Sequence, residues 1–180
     1  MRYLNLLLLA AIFLAAPGCA HKDTKGGDLR SAGTQLEDDT IESKSKIRIE
    51  EKYQDSVLVT VTSINRFVLI TGEAPSEAAK TEIERIVRSI PNVKRTSNEI
   101  TVGALSSSSS RRADAGITRN IKSGLGSSKT IRNKTVHIAT HKGVVYLLGL
   151  VTHAEAAAAA EIASSVAGVQ KVVRVFEYID

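Results

Sequence analysis

An internal duplication constrains the fold of this 180-residue chain more than any other feature. Residues 71–95 read TGEAPSEAAKTEIERIVRSIPNVKR, and residues 149–173 read GLVTHAEAAAAAEIASSVAGVQKVV. When the two stretches are laid over each other, Gly72 falls on Gly149, and each glycine follows an apolar run typical of a strand. A unit that recurs along a chain indicates a repeated supersecondary structure. The sequence therefore predicts two similar small domains.

Apolar residues recur at helical spacing after each glycine. They lie three, four and seven positions apart, which places them on one face of a helix. The residues concerned are Ile83, Ile86, Val87 and Ile90 in the first copy and Ala159, Ile162, Ala163 and Val166 in the second. Ser76 precedes the first helix, and Thr152 with Glu155 forms a capping box before the second. Both copies thus contain a helix directly after the glycine.

Strand patterns precede these helices in both copies. Residues 56–63, SVLVTVTS, alternate as in a half-buried strand, and residues 66–72, RFVLITG, follow as the second arm of a hairpin. Residues 134–149, KTVHIATHKGVVYLLG, repeat the hairpin, with Gly143 in the turn. The apolar residues after each helix predict a last strand, which returns parallel to the second through a right-handed crossover.

A helix opens each copy, at residues 41–51 (IESKSKIRIEE) and 114–125 (DAGITRNIKSGL). The sequence therefore predicts an α+β fold of two tandem domains, each helix-strand-strand-helix-strand with a small mixed three-stranded sheet. A block of roughly 65 residues buries only a modest core. We therefore expect the two copies to contact each other.

The first residues predict export. Met1 and Arg2 supply a positive charge, residues 4–16 are apolar but too short to span a bilayer, and APGC ends in Cys19, the only cysteine. A cysteine after small residues resembles the bacterial lipobox, in which the thiol is acylated. The alternative is a plain signal peptide cut near Gly18, which would leave a free thiol. Ala20 rather than Asp follows the cysteine, which in enterobacterial-type sorting implies the outer membrane.

Composition shifts divide the chain into five segments. We predict a lipoprotein signal peptide at 1–18, a flexible tether at 19–39, a first domain at 40–103, a Ser-rich linker at 104–112 and a second domain at 113–180.

The excess of positive over negative charge is confined to the second copy. Residues 111–180 carry ten Lys or Arg and five Asp or Glu, whereas residues 20–110 carry thirteen and fourteen. The basic excess fits either an anionic surface or an ordinary soluble surface. We predict a phospholipid-binding site in which cations face headgroups, while three aliphatic residues dip shallowly into the membrane or pack inward as core. The cations are Arg119, Lys122, Lys129 and Arg132, and the aliphatic residues are Ile117, Ile121 and Leu125.

Catalytic and cofactor motifs are not evident in the sequence. His137 and His141 are four apart, but a metal site needs further converging ligands. Residues 106–110 are a serine run without a neighbouring His/Asp pattern, so they fit a linker. Aromatics are scarce and no nucleotide motif is present. We therefore expect no enzyme activity, cofactor, metal, nucleic-acid partner or small-molecule substrate.

The ordered set of these motifs resembles a bacterial family. The lipobox, residues 30–39 (RSAGTQLEDD), the paired glycines and the GVQKV exit at 168–172 resemble proteins with two BON domains. The resemblance implies an outer-membrane lipoprotein that faces the periplasm, supports envelope integrity, concentrates at division sites and binds anionic phospholipid.

The resemblance also implies a contact region. The family's lipid contact lies around the first helix of the second copy, which matches residues 114–125 here. At the position of Gly116 the family can place an aromatic side chain, so the resemblance does not predict how deeply this helix inserts. The alternative function is a periplasmic protein-interaction module that docks an envelope assembly factor or a peptidoglycan amidase regulator.

Overall fold

The computed structural model describes residues 27–132 and 135–180, so the predicted signal peptide and Cys19 lie outside the described residues. The first copy comprises α1 (Ala32–Tyr53), a 3-10 turn (Gln54–Ser56), β1 (Leu58–Ile64), β2 (Phe67–Ala74), α2 (Glu77–Arg88) and β3 (Arg95–Val102). The second comprises α3 (Ser108–Ser127), β4 (His137–His141), β5 (Val144–Val151), α4 (His153–Ser164) and β6 (Lys171–Tyr178). The predicted α+β fold and order of elements are confirmed.

Each copy has a mixed three-stranded sheet with its second strand in the middle. In the first copy β1 is antiparallel to β2 and β2 is parallel to β3; β4, β5 and β6 repeat this arrangement. The hairpin turns have positive φ at Asn65 and Arg66 in the first copy and at Lys142 and Gly143 in the second. Two successive residues with positive φ are typical of a tight hairpin turn whose twist matches that of the strands.

Gly72 and Gly149 occupy equivalent places, where the middle strand passes very close to the strand before it. Their φ values are 131° and 149°, a region that side-chain-bearing residues rarely adopt. A Cβ atom on either glycine would lie 1.9 Å from a backbone carbonyl oxygen, that of Leu58 in the first copy and of Thr135 in the second. Only glycine fits at this position, which explains why both copies share it.

The helices of each copy cover one face of its sheet. The first core contains Ile41, Ile49, Val68, Ile70, Ile83, Val87 and Ile100. The second contains Ile117, Ile121, Leu125, Val145, Leu147, Ala156, Ala159, Ala163 and Phe176. Gly124 lets α3 lie close to α4, since a Cβ at this position would come within 2.7 Å of the Ile162 side chain.

The opposite faces of the two sheets pack against each other. This interface consists of alternate residues of the middle strands with neighbours from the outer strands: Ile64, Phe67, Leu69, Ala139, Val144, Tyr146, Leu148, Leu150, Val173 and Val175. The middle strands are therefore buried on both faces, as their continuous apolar runs require. The predicted contact between the copies is confirmed.

A buried carboxylate, Glu73, lies at one end of this interface. It is 0% exposed, and its Oε1 atom lies 3.1 Å from Lys142 Nζ and 3.2 Å from His141 Nε2 and also accepts a hydrogen bond from Ser106. Burial alone would raise the pKa of Glu73, but the hydrogen bonds from Ser106 and Lys142 hold it below its ordinary value. The equivalent residue of the second copy is Leu150. The two copies therefore contribute equivalent strands to the interface but different side chains at this position.

The first helix of each copy begins earlier than the sequence predicts. Helix α1 begins at Ala32, inside the predicted tether, and α3 begins at Ser108, inside the predicted linker. Ser31 and Ser107 cap these helices, because each side chain accepts a hydrogen bond from the backbone N–H three residues later, at 3.1 and 3.2 Å. The polar first turns lack the apolar spacing from which a helix start is normally predicted.

Candidate functional site

The outward side of α3 is cationic and lacks exposed aliphatic side chains. Arg112, Arg119 and Lys122 are exposed there, among serines and the small residues Gly116 and Gly126. The only carboxylate on α3, Asp114, is buried. In the described part of the chain Lys142 and Arg132 form ion pairs, whereas Arg119 and Lys122 form none. This face therefore presents free positive charge to the solvent.

The inward side of α3 carries the three aliphatic residues predicted for the lipid site. Ile117, Ile121 and Leu125 are 7%, 0% and 9% exposed and belong to the core of the second copy. The sequence had left open whether they dip into a membrane or pack inward, and in this structure they pack inward. Lipid contact through them would require α3 to leave the sheet.

The remaining predicted cations have different surroundings. Lys129 is exposed in the turn after α3. Arg132 Nε and Nη2 lie 2.9 Å from the two carboxylate oxygens of Glu155, and its backbone N–H donates to the same carboxylate at 3.1 Å. Glu155 also completes the predicted capping box with Thr152, which is confirmed. Arg132 therefore fixes the chain after α3 to the start of α4, and only half of its surface faces solvent.

The hydrogen bonds that Glu155 accepts stabilise its charged form. Hydrogen bonds from Arg132 outweigh the opposing effect of burial and lower the pKa of Glu155 to about 2. The ion pair is consequently intact at neutral pH and holds the C-terminal end of α3 in place.

Two aspartates that the sequence reading missed fix the first helix of each copy. Asp114 accepts hydrogen bonds from the backbone N–H groups of Lys142 and Gly143, both at 2.9 Å. Asp38 plays the same part in the first copy and accepts from the N–H groups of Asn65 and Arg66 at 2.8 and 2.7 Å. The two aspartates are equivalent in the duplication, so the alignment of the copies contained a signal for them. They hold each helix over its hairpin turn.

Arg30 joins the start of the described chain to the first copy. Its guanidinium contacts the carboxylates of Asp28 and Asp38, each at 2.6 Å, and its side chain is 9% exposed. We call Asp28, Arg30 and Asp38 the Arg30 bridge. It stabilises the segment before α1, which the sequence alone had suggested was flexible.

A groove of about 520 Å³ lies between this segment and the second copy. Gly27 and Asp28 line one side, and Lys122, Leu125 and His137 line the other. The Asp28 carboxylate lies 4.0 Å from His137 Nε2, and burial together with the charge of Arg30 lowers the pKa of His137. The first described residues of the chain therefore lie beside the cationic face of α3.

Within residues 27–132 and 135–180, no three His, Cys, Asp or Glu side chains come together as a metal site. Over the same residues, no helix has the length and apolar character needed to cross a bilayer.

The duplicated α+β unit, with a mixed three-stranded sheet in each copy, defines a protein of two tandem α+β domains. The BON domain model matches residues 37–104 and 113–180. The chain therefore belongs to the BON domain family.

Two relatives support the assignment. The chain is 33% identical over 190 residues to the Outer membrane lipoprotein DolP of Haemophilus influenzae, covering 100% of this chain and 97% of the relative. It is 32% identical over 158 residues to the 21 kDa hemolysin of Actinobacillus pleuropneumoniae, covering 87% of this chain and 81% of the relative. Among solved structures, the C-terminal domain of CdsD, a type III secretion protein of Chlamydia trachomatis, matches with a TM-score of 0.33 at 13% identity, covering 73% of this chain and 96% of that one.

Proposed function

We propose that this protein is a non-enzymatic, lipid-anchored outer-membrane protein that faces the periplasm and binds anionic phospholipid through its second BON domain. The lipobox-like sequence at Cys19 and the relation to an outer-membrane lipoprotein support the location. In this function the protein supports envelope integrity and concentrates at division sites, where it meets the anionic lipid that it binds.

The observation that carries the lipid proposal is the unpaired cationic face of α3. Arg119 and Lys122 are exposed and form no ion pair among the described residues, and no carboxylate on α3 opposes them. Near an anionic membrane surface each Lys or Arg is worth about 1 kcal/mol, an effect that falls off within a Debye length. A few such residues give weak, salt-sensitive binding, which suffices for a protein already held at the membrane by acyl chains.

The face has no exposed aliphatic or aromatic side chain that could insert, since Ile117, Ile121 and Leu125 lie in the core. We therefore propose a peripheral contact in which Arg119, Lys122 and Lys129 lie against phosphate groups. Arg132 contributes by holding the end of α3 through Glu155.

Vesicle pelleting tests the proposal with the complete two-domain protein, because removing the first copy would expose the apolar sheet face of the second. Binding to phosphatidylglycerol vesicles should exceed binding to phosphatidylcholine vesicles and should fall with added salt. Arg119→Glu with Lys122→Glu reverses two charges and should lower partitioning at least a hundredfold at low salt.

Lys46→Glu is the matched control, because Lys46 occupies the position on α1 that is equivalent to Lys122 on α3 and is 71% exposed. This substitution should leave vesicle binding within about twofold of that of the unsubstituted protein, since Lys46 lies in the other copy. Equal losses for the two positions would show that net charge alone drives binding, and unchanged binding of the double variant would exclude α3 as the contact.

A further inference from the structure

The two sheets have four edge strands, and β1 differs from the other three. Strands β3 and β6 carry charged side chains, and β4 has five residues and begins and ends with a histidine. Strand β1 reads LVTVTSI over seven residues and contains no charged residue and no proline. Proteins commonly protect edge strands with charges, prolines or shortening, because an unprotected edge pairs readily with another chain.

At the end of β1 the Ser63 backbone N–H donates to the Glu42 carboxylate at 2.8 Å, and a groove of about 730 Å³ runs along the rest of this edge. Helix α1 forms one wall and β1 with the residue before it forms the other. Ile49, Val57, Val59 and Val61 provide apolar surface, of which Ile49 is buried and the valines are half-buried.

The rim of the groove is acidic. Glu42, Glu50 and Asp55 line it, and Lys46 is the one cation among the described lining residues. Lys46 itself lies 3.7 Å from Glu50. The groove therefore combines an open strand edge, apolar pockets and a net negative charge.

The equivalent groove of the second copy has a lining of opposite charge. Lys122 and Leu125, which line the groove beside β4, are the equivalents of Lys46 and Ile49. Gly27 and Asp28 also line that groove, and the Asp28 carboxylate lies 4.0 Å from His137 Nε2. Gly27 and Asp28 thus form one wall of the basic groove of the second copy, whereas the described lining of the acidic groove in the first copy comes from α1, β1 and the residues between them.

We propose that the groove along β1 binds an extended, basic segment of another protein, which pairs with β1 as a fourth strand. Backbone pairing supplies affinity in this mode of recognition, and side-chain pockets with complementary charge supply specificity. A second copy of this chain fits less well, because two β1 edges would bring two acidic rims together. This inference does not depend on the lipid contact, which uses the other copy.

A peptide that alternates valine and lysine provides the probe, and a peptide that alternates valine and glutamate provides the control. Titrated into the complete two-domain protein, the lysine peptide should shift backbone NMR signals of β1 and of the facing side of α1 and should slow amide exchange along β1. The glutamate peptide should produce neither effect.

Glu50→Lys should weaken the lysine peptide about three- to tenfold at low ionic strength, because it reverses a charge on the rim. Glu51→Lys is the matched control: Glu51 is exposed next to Glu50 on α1 but does not line the groove, so affinity should not change. Both substitutions lie at exposed helix positions and should leave unfolding unaltered.

Three results would overturn the proposal. They are equal binding of both peptides, equal effects of the two substitutions, and NMR shifts that map away from β1. Dimerisation of the protein alone through β1, detected by sedimentation, would identify a second copy as the occupant and would also contradict it.

Discussion

The two BON domains have the same topology but carry opposite charge along the same groove. Along the space between the first helix and the edge strand, Glu42, Glu50 and Asp55 outnumber Lys46 in the first copy. In the second copy Lys122 and Arg132 outnumber Asp28. The shared framework depends on the paired glycines, the paired aspartates and the apolar cores. Groove residues contribute little to those features, so the charge of each groove could change without loss of the fold.

The largest effect is expected where the copies are most alike. Gly72→Ala and Gly149→Ala each place a Cβ 1.9 Å from a carbonyl oxygen at a positive φ, and each should cost more than about 4 kcal/mol or abolish folding of its domain. Thermal unfolding followed by circular dichroism measures this. If one copy tolerated alanine, the close strand contact would not be common to both.

Substituting the two aspartates should lower the free energy of unfolding by smaller and unequal amounts. Asp38→Ala removes the acceptor of two backbone N–H groups, of the Ser63 hydroxyl and of the Arg30 Nη1 group, and should cost about 3–5 kcal/mol. Asp114→Ala leaves only the two backbone donors and should cost about 1–3 kcal/mol. Denaturant unfolding gives both values, and the exposed neighbour Asp39→Ala serves as the control, with no change expected. Equal costs would contradict a role for the Arg30 bridge in stability.

Acid should affect the second copy through Glu155, whose counterpart in the first copy is Ala79. Because the folded-state pKa of Glu155 is lowered to about 2, its stabilising contribution is complete above its ordinary pKa near 4.5 and is lost as the pH falls towards 2. Glu155→Gln should therefore cost about 2 kcal/mol at pH 7 and progressively less below pH 4.5.

Unfolding of the wild type and the Glu155→Gln variant at several pH values tests this, with the exposed Glu161→Gln on the same helix as the control. If the difference in the free energy of unfolding between the two proteins stayed constant with pH, the charge of the carboxylate would not be what stabilises the Arg132 contact.

The smallest effect concerns the glycines on the outward side of α3. A Cβ on Gly116 or Gly126 would meet nothing within 4 Å, so alanine should stabilise the helix by up to about 1 kcal/mol at each site. Vesicle binding should not change if the face acts through charge. Weaker binding would indicate that lipid approaches the backbone at these glycines.

The sequence predicted the features that depend on local pattern. Alternation along β1, the capping box at Thr152 and the helical spacing of Ile83 and Val87 are local signals, and the corresponding elements are present. The continuous apolar run of β2 could also have indicated burial on both faces, and so a second sheet packed against it.

Features that depend on tertiary contacts were not predicted. The early start of α1 is stabilised by Asp38, whose partners lie in a hairpin that is distant in sequence. The burial of Ile121 and the pairing of Arg132 with Glu155 likewise depend on where α4 lies. Local pattern can place Ile121 and Arg132 on their elements but cannot decide which of them meets solvent.

In the proposed function, the Arg30 bridge would determine how the second domain is presented to the membrane. Seven residues lie between Cys19 and Gly27, and the eight residue steps that join them reach at most about 29 Å when fully extended. Because Asp28 is held by Arg30 and lines the same groove as Lys122, an acylated Cys19 would keep the second domain's basic helix close to the lipid surface and limit rotation of the molecule away from it. The anchor would then raise the local concentration of anionic headgroups at that helix, and a surface of low intrinsic affinity could remain occupied.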